Sequence, residues 1–134
     1  MLTAKISIIL PTFNMAFLLD EAIKSVMSQS YNNWELIIID NYSSDNTDEI
    51  LEKYSDNRIT ILKINNNGII AKSRNAGMYR ASGDWVAFLD SDDIWYPHRL
   101  EVMKDAIDKN EADIISTNEL LVNKNTGFTK KLVY

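Results

Sequence analysis

The amino-acid sequence predicts an α/β fold in which a mainly parallel, doubly wound sheet carries helices on both faces. Short apolar segments rich in Ile and Val recur along the chain, as is typical of strands buried on both faces of a parallel sheet. Segments with helical periodicity separate these apolar segments. Strands that alternate with helices of this length imply right-handed crossover connections, and therefore this fold class.

Five apolar segments are predicted as strands. Each is short, as strands are, and turn-forming or polar residues follow most of them. The predicted strands are ISIIL (6–10), WELIII (34–39), ITILKI (59–64), WVAFL (85–89) and DIIS (113–116).

Four helices are predicted between and after these strands. Asn46, followed by Glu49, predicts an N-cap for the second helix, and Pro97 predicts the start of the fourth. The tail after Asn118 has the Asn/Gly turn chemistry of a β-hairpin. The predicted helices cover residues 17–29, 47–54, 70–81 and 98–109.

Composition restricts the functional classes. A length of 134 residues is about one domain. The formal net charge of -5 argues against a nucleic-acid partner, because such partners attract basic proteins. The absence of cysteine excludes disulfides and thiolate zinc sites and is consistent with a cytosolic protein. The first apolar segment stops at Pro11, too short for a signal-peptide core or a membrane span, so we expect a soluble chain.

Polar segments follow four of the predicted strands. Open α/β sheets bind ligands in the crevice beyond the carboxyl ends of their strands, and we expect these segments to meet at that edge. Each segment alone could be an ordinary solvated loop. The segments are PTFN (11–14), DNYSSDN (40–46), NNNG (65–68) and DSDD (90–93).

The last of these segments contains three carboxylates, Asp90, Asp92 and Asp93, and each disfavours ionisation of the others. Magnesium and manganese take oxygen ligands, usually one or two carboxylates together with substrate phosphates. In an extended chain Asp90 and Asp92 point the same way, which suits such a cation. The alternative is a solvated loop whose Asp92 and Asp93 favour the positive end of the following helix.

Taken together, these motifs resemble the nucleotide-sugar-dependent glycosyltransferases of family 2, a large inverting family with the Rossmann-like GT-A fold. The resemblance implies a nucleotide-sugar-binding core at residues 1–118. Residues 119–134 would then be the hairpin-like, incomplete start of the acceptor half. The matching segments are SIILPTFN (7–14), AIKSVMSQSYNNWELIIIDNYSSDNT (22–47), GIIAKSRNAGMYRASGDWVAFLDSDD (68–93) and PHRL (97–100).

The resemblance also implies roles for single residues. At the second strand end the family usually has Asp-Asp-Gly-Ser-x-Asp, whereas here Asn41 replaces the second acid and Tyr42 the glycine. Asn41 can both accept and donate, which leaves the choice of base open. Asp90 and Asp92 are the implied ligands of Mn²⁺ or Mg²⁺. The implied nucleotide-sugar-binding residues are Pro11, Thr12, Phe13, Asp40, Asn41, Asn67, Arg74 and Asp90.

The implied function is inverting transfer of a sugar from a nucleoside diphosphate, with UDP the favoured carrier, during cell-surface polysaccharide synthesis. The acceptor would be a glycan or a lipid-linked molecule, and the location the cytoplasm, including the inner face of the membrane. No residue here matches the family's general base, so we expect it beyond residue 134 and expect this chain alone to be inactive.

Two other classes of protein are compatible with a domain of this length and fold. A non-catalytic nucleotide-binding or interaction module remains the alternative, because it needs only the residues present here. A receiver-type phosphoacceptor domain fits poorly. It requires acids after the first strand and a lysine after the fifth, whereas residues 11–14 contain no acid and residues 115–119 no lysine.

Overall fold

The computed structural model describes residues 3–110 and 112–132. The chain divides into two compact units, Met1–Val102 and Met103–Tyr134. Its strands are β1 (Ile6–Thr12), β2 (Trp34–Asp40), β3 (Ile59–Lys63), β4 (Trp85–Phe88), β5 (Glu119–Val122) and β6 (Thr129–Leu132). Its helices are α1 (Ala16–Met27), α2 (Thr47–Leu51), α3 (Ile70–Arg80) and α4 (Arg99–Asp108).

The first unit is built on a parallel sheet with the strand order β3-β2-β1-β4. Thr12 pairs with Asp40, and Asp40 with Lys63, so these three strands end at nearly the same level. The chain first moves outward from β1 to β3 and then returns to the other side of β1 for β4. Right-handed crossovers therefore place α1 and α2 on one face and α3 on the other. This confirms the predicted doubly wound α/β fold.

Close packing of α3 on the sheet depends on Gly77. A Cβ there would lie 2.6 Å from Ile9 Cγ2 and 2.9 Å from Ile39 Cδ1, so only glycine lets the helix approach this closely. Ile9, Ile37 and Ile39 form the core on this face. Residues that alternate with them along the strands are equally buried, as expected for a sheet covered on both sides. These residues are Ile8, Leu10, Leu36 and Ile38.

One prediction about the elements is wrong. Residues 113–116 do not form a strand, and the central sheet has four strands. Ile114 is 88% exposed, so this short apolar segment lacks the burial on both faces that defines a central parallel strand. The N-cap residue of α2 is Asn46, as predicted, but its side chain makes no capping hydrogen bond. The neighbouring Asp45 accepts hydrogen bonds from Thr47 N at 3.1 Å and Thr47 Oγ1 at 2.6 Å instead.

Asp45 also connects two elements. Its Oδ2 accepts a hydrogen bond from Ala16 N at 2.9 Å, at the first residue of α1. The hydrogen bonds from Thr47 and Ala16 lower the pKa of the Asp45 carboxyl group. The loop after β2 is thereby attached to the helix that follows β1.

The second unit contains the predicted hairpin. Strands β5 and β6 pair antiparallel, from Glu119 with Leu132 to Val122 with Thr129. Gly127 in the connecting turn has φ +69°, which glycine adopts without strain. The predicted domain ranges 1–118 and 119–134 include five residues that lie outside the described ones, namely 1, 2, 111, 133 and 134. Within the described part of the chain, no helix has the length and apolar character needed to cross a membrane.

Candidate functional site

A cleft of about 400 Å³ opens at the carboxyl ends of β1 to β4. Each of the four polar segments that follow these strands contributes to its lining, as their position at one edge of a parallel sheet predicts. The lining residues are Pro11, Thr12, Phe13, Met15, Asn41, Asn66, Gly68, Ile70, Ser73, Asp90, Ser91 and Asp92.

Most of the predicted site residues lie in this lining, and three do not. Asp40, Asn67 and Arg74 are not among the residues that line the cleft. The predicted residues that the structure brings together there are Pro11, Thr12, Phe13, Asn41, Asp90 and Asp92.

The end of β1 forms one wall. Pro11 and Thr12 are buried and Phe13 is exposed. Among the described residues, no group forms a hydrogen bond with the buried Thr12 Oγ1. A buried hydroxyl without a partner costs free energy, so this atom is suited to a ligand hydrogen bond. Asn14, at φ 50°, turns the chain away and accepts a hydrogen bond from Ser44 N through Oδ1 at 2.8 Å.

The Asp40 side chain is fully buried and shapes the loop after β2. It accepts hydrogen bonds from Ser43 Oγ at 2.5 Å and Ser43 N at 3.1 Å, and its Oδ2 lies 3.9 Å from Lys63 Nζ. Tyr42, between Asp40 and Ser43, has φ 50°, a backbone conformation that favours glycine. Glycine is the residue that the family's usual pattern has at this position. The predicted contact of Asp40 with a nucleotide stays a prediction.

A second wall contains two residues that the sequence reasoning missed, Asn66 and Ser73. Asn66 is only 7% exposed, and its Nδ2 donates to Ser73 Oγ at 3.0 Å. Asn66 N donates to Asn41 Oδ1 at 2.8 Å. Asn67, the predicted residue of this run of three asparagines, is exposed and lies in the turn at φ 54°. Its predicted contact with a nucleotide stays a prediction.

The acidic segment follows β4. Arg74 Nη2 donates to Asp90 Oδ1 at 2.9 Å, and the guanidinium lies 5.5 Å from the centre of the Phe88 ring. Asp93 N donates to Asp90 O at 3.0 Å, which turns the chain so that Asp92 is exposed at the cleft. The predicted contact of Arg74 with a nucleotide stays a prediction.

The acidic segment 90–93 is also the candidate cation site. Within residues 3–110 and 112–132, no group of three or more His, Cys, Asp or Glu side chains is arranged to hold a metal. The Asp90 side chain is 43% exposed, and Asp92 is exposed beside it. Two accessible carboxylates fit a magnesium or manganese ion that takes its other ligands from substrate phosphates and water.

The amino-acid sequence of this chain is similar to those of known proteins. A family model described as Glycosyl transferase family 2 matches residues 7–132. The chain is 39% identical over 121 residues to the Escherichia coli UDP-Glc:alpha-D-GlcNAc-diphosphoundecaprenol beta-1,3-glucosyltransferase WfgD, covering 90% of this chain and 48% of that protein. It is 41% identical over 98 residues to the Bacillus subtilis putative teichuronic acid biosynthesis glycosyltransferase TuaG, covering 72% and 39%. The chain therefore spans less than half the length of these relatives.

Solved structures also superpose on this chain. S. aureus TarS 1-349 in complex with UDP superposes with a TM-score of 0.76 and 32% identity, over 81% of this chain and 33% of that one. The mannosyltransferase PcManGT from Pyrobaculum calidifontis, in complex with GDP-Man and Mn2+, superposes with a TM-score of 0.70 and 24% identity, over 84% and 34%. At that identity, the second likeness shows the fold alone.

Proposed function

The chain belongs to glycosyltransferase family 2, and on that premise we propose that it is the donor-binding part of an inverting enzyme of cell-surface polysaccharide synthesis. The donor is a nucleoside diphosphate sugar and the acceptor a glycan or a lipid-linked molecule. The names of WfgD and TuaG support this class of pathway. A TarS structure with UDP-GlcNAc supports UDP as the carrier. The reaction would take place in the cytoplasm or at the inner face of the membrane.

The observation that carries the proposal is the cleft itself. It lies at the carboxyl ends of four parallel strands, where open α/β sheets bind ligands, and its volume of about 400 Å³ is in the range of small-molecule sites. Its lining combines an apolar part, including Pro11 and Phe13, with polar groups from each strand end. Such a lining can hold a planar base and a polar diphosphate at once.

We assign the cation to Asp90 and Asp92, as Mn²⁺ or Mg²⁺. Once bound, the cation would neutralise the negative charge that grows on the departing diphosphate. The hydrogen bond from Arg74 to Oδ1 fixes the orientation of the Asp90 carboxylate, and the Asp90 side chain remains partly accessible to a cation. Asp92 is exposed and therefore free to turn toward a ligand.

Calorimetry tests the donor site. UDP, GDP, CDP and TDP are titrated into the chain in manganese buffer and again in EDTA. We expect at least one nucleotide to bind with manganese and to bind about tenfold or more weakly without it, since the diphosphate then loses its counter-charge. Equal affinity in both buffers would remove the cation from the proposal, and no binding in either would overturn the donor site.

A second test concerns transfer. The general base is proposed to lie beyond residue 134, and general-base catalysis contributes about 10²- to 10⁴-fold. We therefore expect no detectable sugar transfer by the 134-residue chain, against clear transfer by the longest natural reading frame that contains it. Similar rates for both would place the base within the present sequence. Nucleotide binding without transfer in both would favour the non-catalytic module.

A further inference from the structure

We propose that Asn41 contacts the nucleobase as a hydrogen-bond donor, so that this position recognises a carbonyl oxygen or a ring nitrogen and not a base N–H. The inference rests on the proposed function, because it assigns a role to one wall of the donor cleft. It resolves the two possibilities, donor or acceptor, that the amide side chain alone leaves open.

The backbone of Asn41 is held by the sheet. Its N–H donates to Thr12 O at 3.1 Å, one residue beyond the last paired residue of β2. Asn41 therefore has a fixed starting point for its side chain at the edge of the cleft, which it lines.

The orientation of the Asn41 amide follows from its partner. Asn66 N donates to Asn41 Oδ1 at 2.8 Å, and a backbone N–H can only donate. The amide oxygen must therefore face Asn66, and the NH₂ group must occupy the other end. No residue of the described ranges accepts a hydrogen bond from Asn41 Nδ2, so the end left for a ligand is a donor.

The partner is itself held in place. Asn66 donates through Nδ2 to Ser73 Oγ at 3.0 Å and accepts through Oδ1 from Gly68 N at 2.8 Å. With both ends of its own amide engaged and only 7% of the residue exposed, Asn66 cannot turn away easily. Reversing the Asn41 amide would leave the Asn66 N–H opposite an NH₂ group, which is unfavourable.

An aspartate at position 41 tests whether this side chain donates or accepts the hydrogen bond to the base. Both of its oxygens accept, so one keeps the hydrogen bond from Asn66 N while the other becomes an acceptor facing the ligand. Asn41→Asp thus changes the free end from donor to acceptor with little change in shape. A base acceptor would then meet a carboxylate, whereas a base N–H would gain a stronger partner.

The experiment measures dissociation constants in manganese buffer for the wild type and Asn41→Asp, using the nucleotide among UDP, GDP, CDP and TDP that binds the wild type best. Ribose 5-diphosphate, which lacks a base, controls for the added negative charge. We expect Asn41→Asp to weaken the nucleotide by about tenfold and ribose 5-diphosphate by less than about twofold. Unchanged or tighter nucleotide binding would overturn the inference, and so would an equal loss for both ligands.

A second measurement uses only the wild type and is independent of how the variant folds. Each acceptor atom on the base is replaced in turn, with sulfur for a carbonyl oxygen or C–H for a ring nitrogen. At least one replacement should weaken binding by about threefold or more, because sulfur is a weaker acceptor and C–H accepts no hydrogen bond. Equal affinity for every analogue would overturn the inference and leave the donor site intact. Failure of the wild type to bind any nucleotide would overturn the proposed function and this inference together.

Discussion

Two polar groups at opposite ends of the parallel sheet differ in how they are paired: the Glu35 carboxylate at the amino end and the Thr12 hydroxyl at the carboxyl end. At the amino end, Lys5, Ser7, Glu35 and Ser82 bond to one another in a network within the chain. At the carboxyl end, the buried Thr12 Oγ1 has no partner in the described residues. Both ends are made of the same strands, so the difference separates groups that hold the fold from groups available to a ligand.

Glu35 is the centre of the amino-end network. Its Oε1 accepts hydrogen bonds from Ser7 Oγ at 2.5 Å and Ser82 N at 2.6 Å, and its Oε2 from Lys5 Nζ at 3.0 Å. Burial raises the pKa of the Glu35 carboxyl group, but the hydrogen bonds from Ser7, Ser82 and Lys5 outweigh it and lower the pKa to about 2. Gly83 N adds a hydrogen bond to Ser7 Oγ at 2.8 Å. The Glu35 carboxylate is therefore satisfied within the chain, although the buried Trp34 Nε1 at the start of β2 has no hydrogen-bond partner among the described residues.

The largest expected effect is at Gly83. A Cβ there would lie 2.7 Å from Lys5 O and from Ser7 Oγ and 2.8 Å from Ser7 N, so Gly83→Ala must displace the backbone of β1 or break the network. We expect the free energy of unfolding to fall by about 3 kcal/mol, measured by urea denaturation. Gly127→Ala is the control, since no atom lies within 4 Å of its Cβ and only its positive φ is affected. An equal loss in both variants would mean that the amino end tolerates crowding.

Glu35→Gln tests the charge in the same network. We expect a loss of about 2 kcal/mol in the free energy of unfolding at neutral pH, because a charged acceptor is replaced by a neutral amide. The folded-state pKa of about 2 lies below the ordinary value of 4.5. The stability from this group is therefore fully present above pH 4.5 and is lost as pH falls towards 2. Wild-type and variant stability curves that stay parallel from pH 6 to pH 2 would contradict this assignment.

Asp92→Asn tests the carboxyl end. The side chain is exposed, so we expect the free energy of unfolding to change by less than about 0.5 kcal/mol. Nucleotide binding in manganese buffer should weaken by about tenfold, because a charged oxygen ligand is lost. Calorimetry and urea denaturation of the same preparation separate the two effects. A destabilised variant with unchanged binding would assign Asp92 to the fold.

The smallest expected effect compares one hydroxyl from each end. Thr12→Val removes a buried hydroxyl that has no partner in the described structure, and we expect a gain of about 1 kcal/mol in the free energy of unfolding. Ser7→Ala removes a hydroxyl that bonds Glu35 and Gly83, and the same measurement should show a loss. Nucleotide binding should weaken for Thr12→Val and stay unchanged for Ser7→Ala. Stability changes of the same sign in both variants would remove the contrast between the ends.

Much of the fold could be predicted from the sequence, because its signals are local. Continuous Ile- and Val-rich segments favour burial, and β1 to β4 follow those segments closely. The central strands β1 and β2 are buried along nearly their whole length, and the edge strands β3 and β4 only in part. The error at residues 113–116 has the same origin, since a four-residue segment with only two apolar residues, Ile114 and Ile115, is too short to specify a strand without tertiary cover. Asn46 takes the predicted N-cap position of α2, but at φ -77° and ψ 21° its side chain makes no capping hydrogen bond.

By itself, the sequence determined the parallel α/β fold and the edge at which the polar segments meet, because strand direction and chain order are enough to place them. Only the tertiary structure decided which atoms remain available there. It placed Asn66 in the lining of the cleft, turned Asp40 toward Ser43 and paired Arg74 with Asp90. The physical reason is that a hydrogen bond depends on angles and distances between residues far apart in the chain. Asn41 and Asn66 are 25 residues apart, and no local pattern specifies which end of an amide will meet an N–H at that separation.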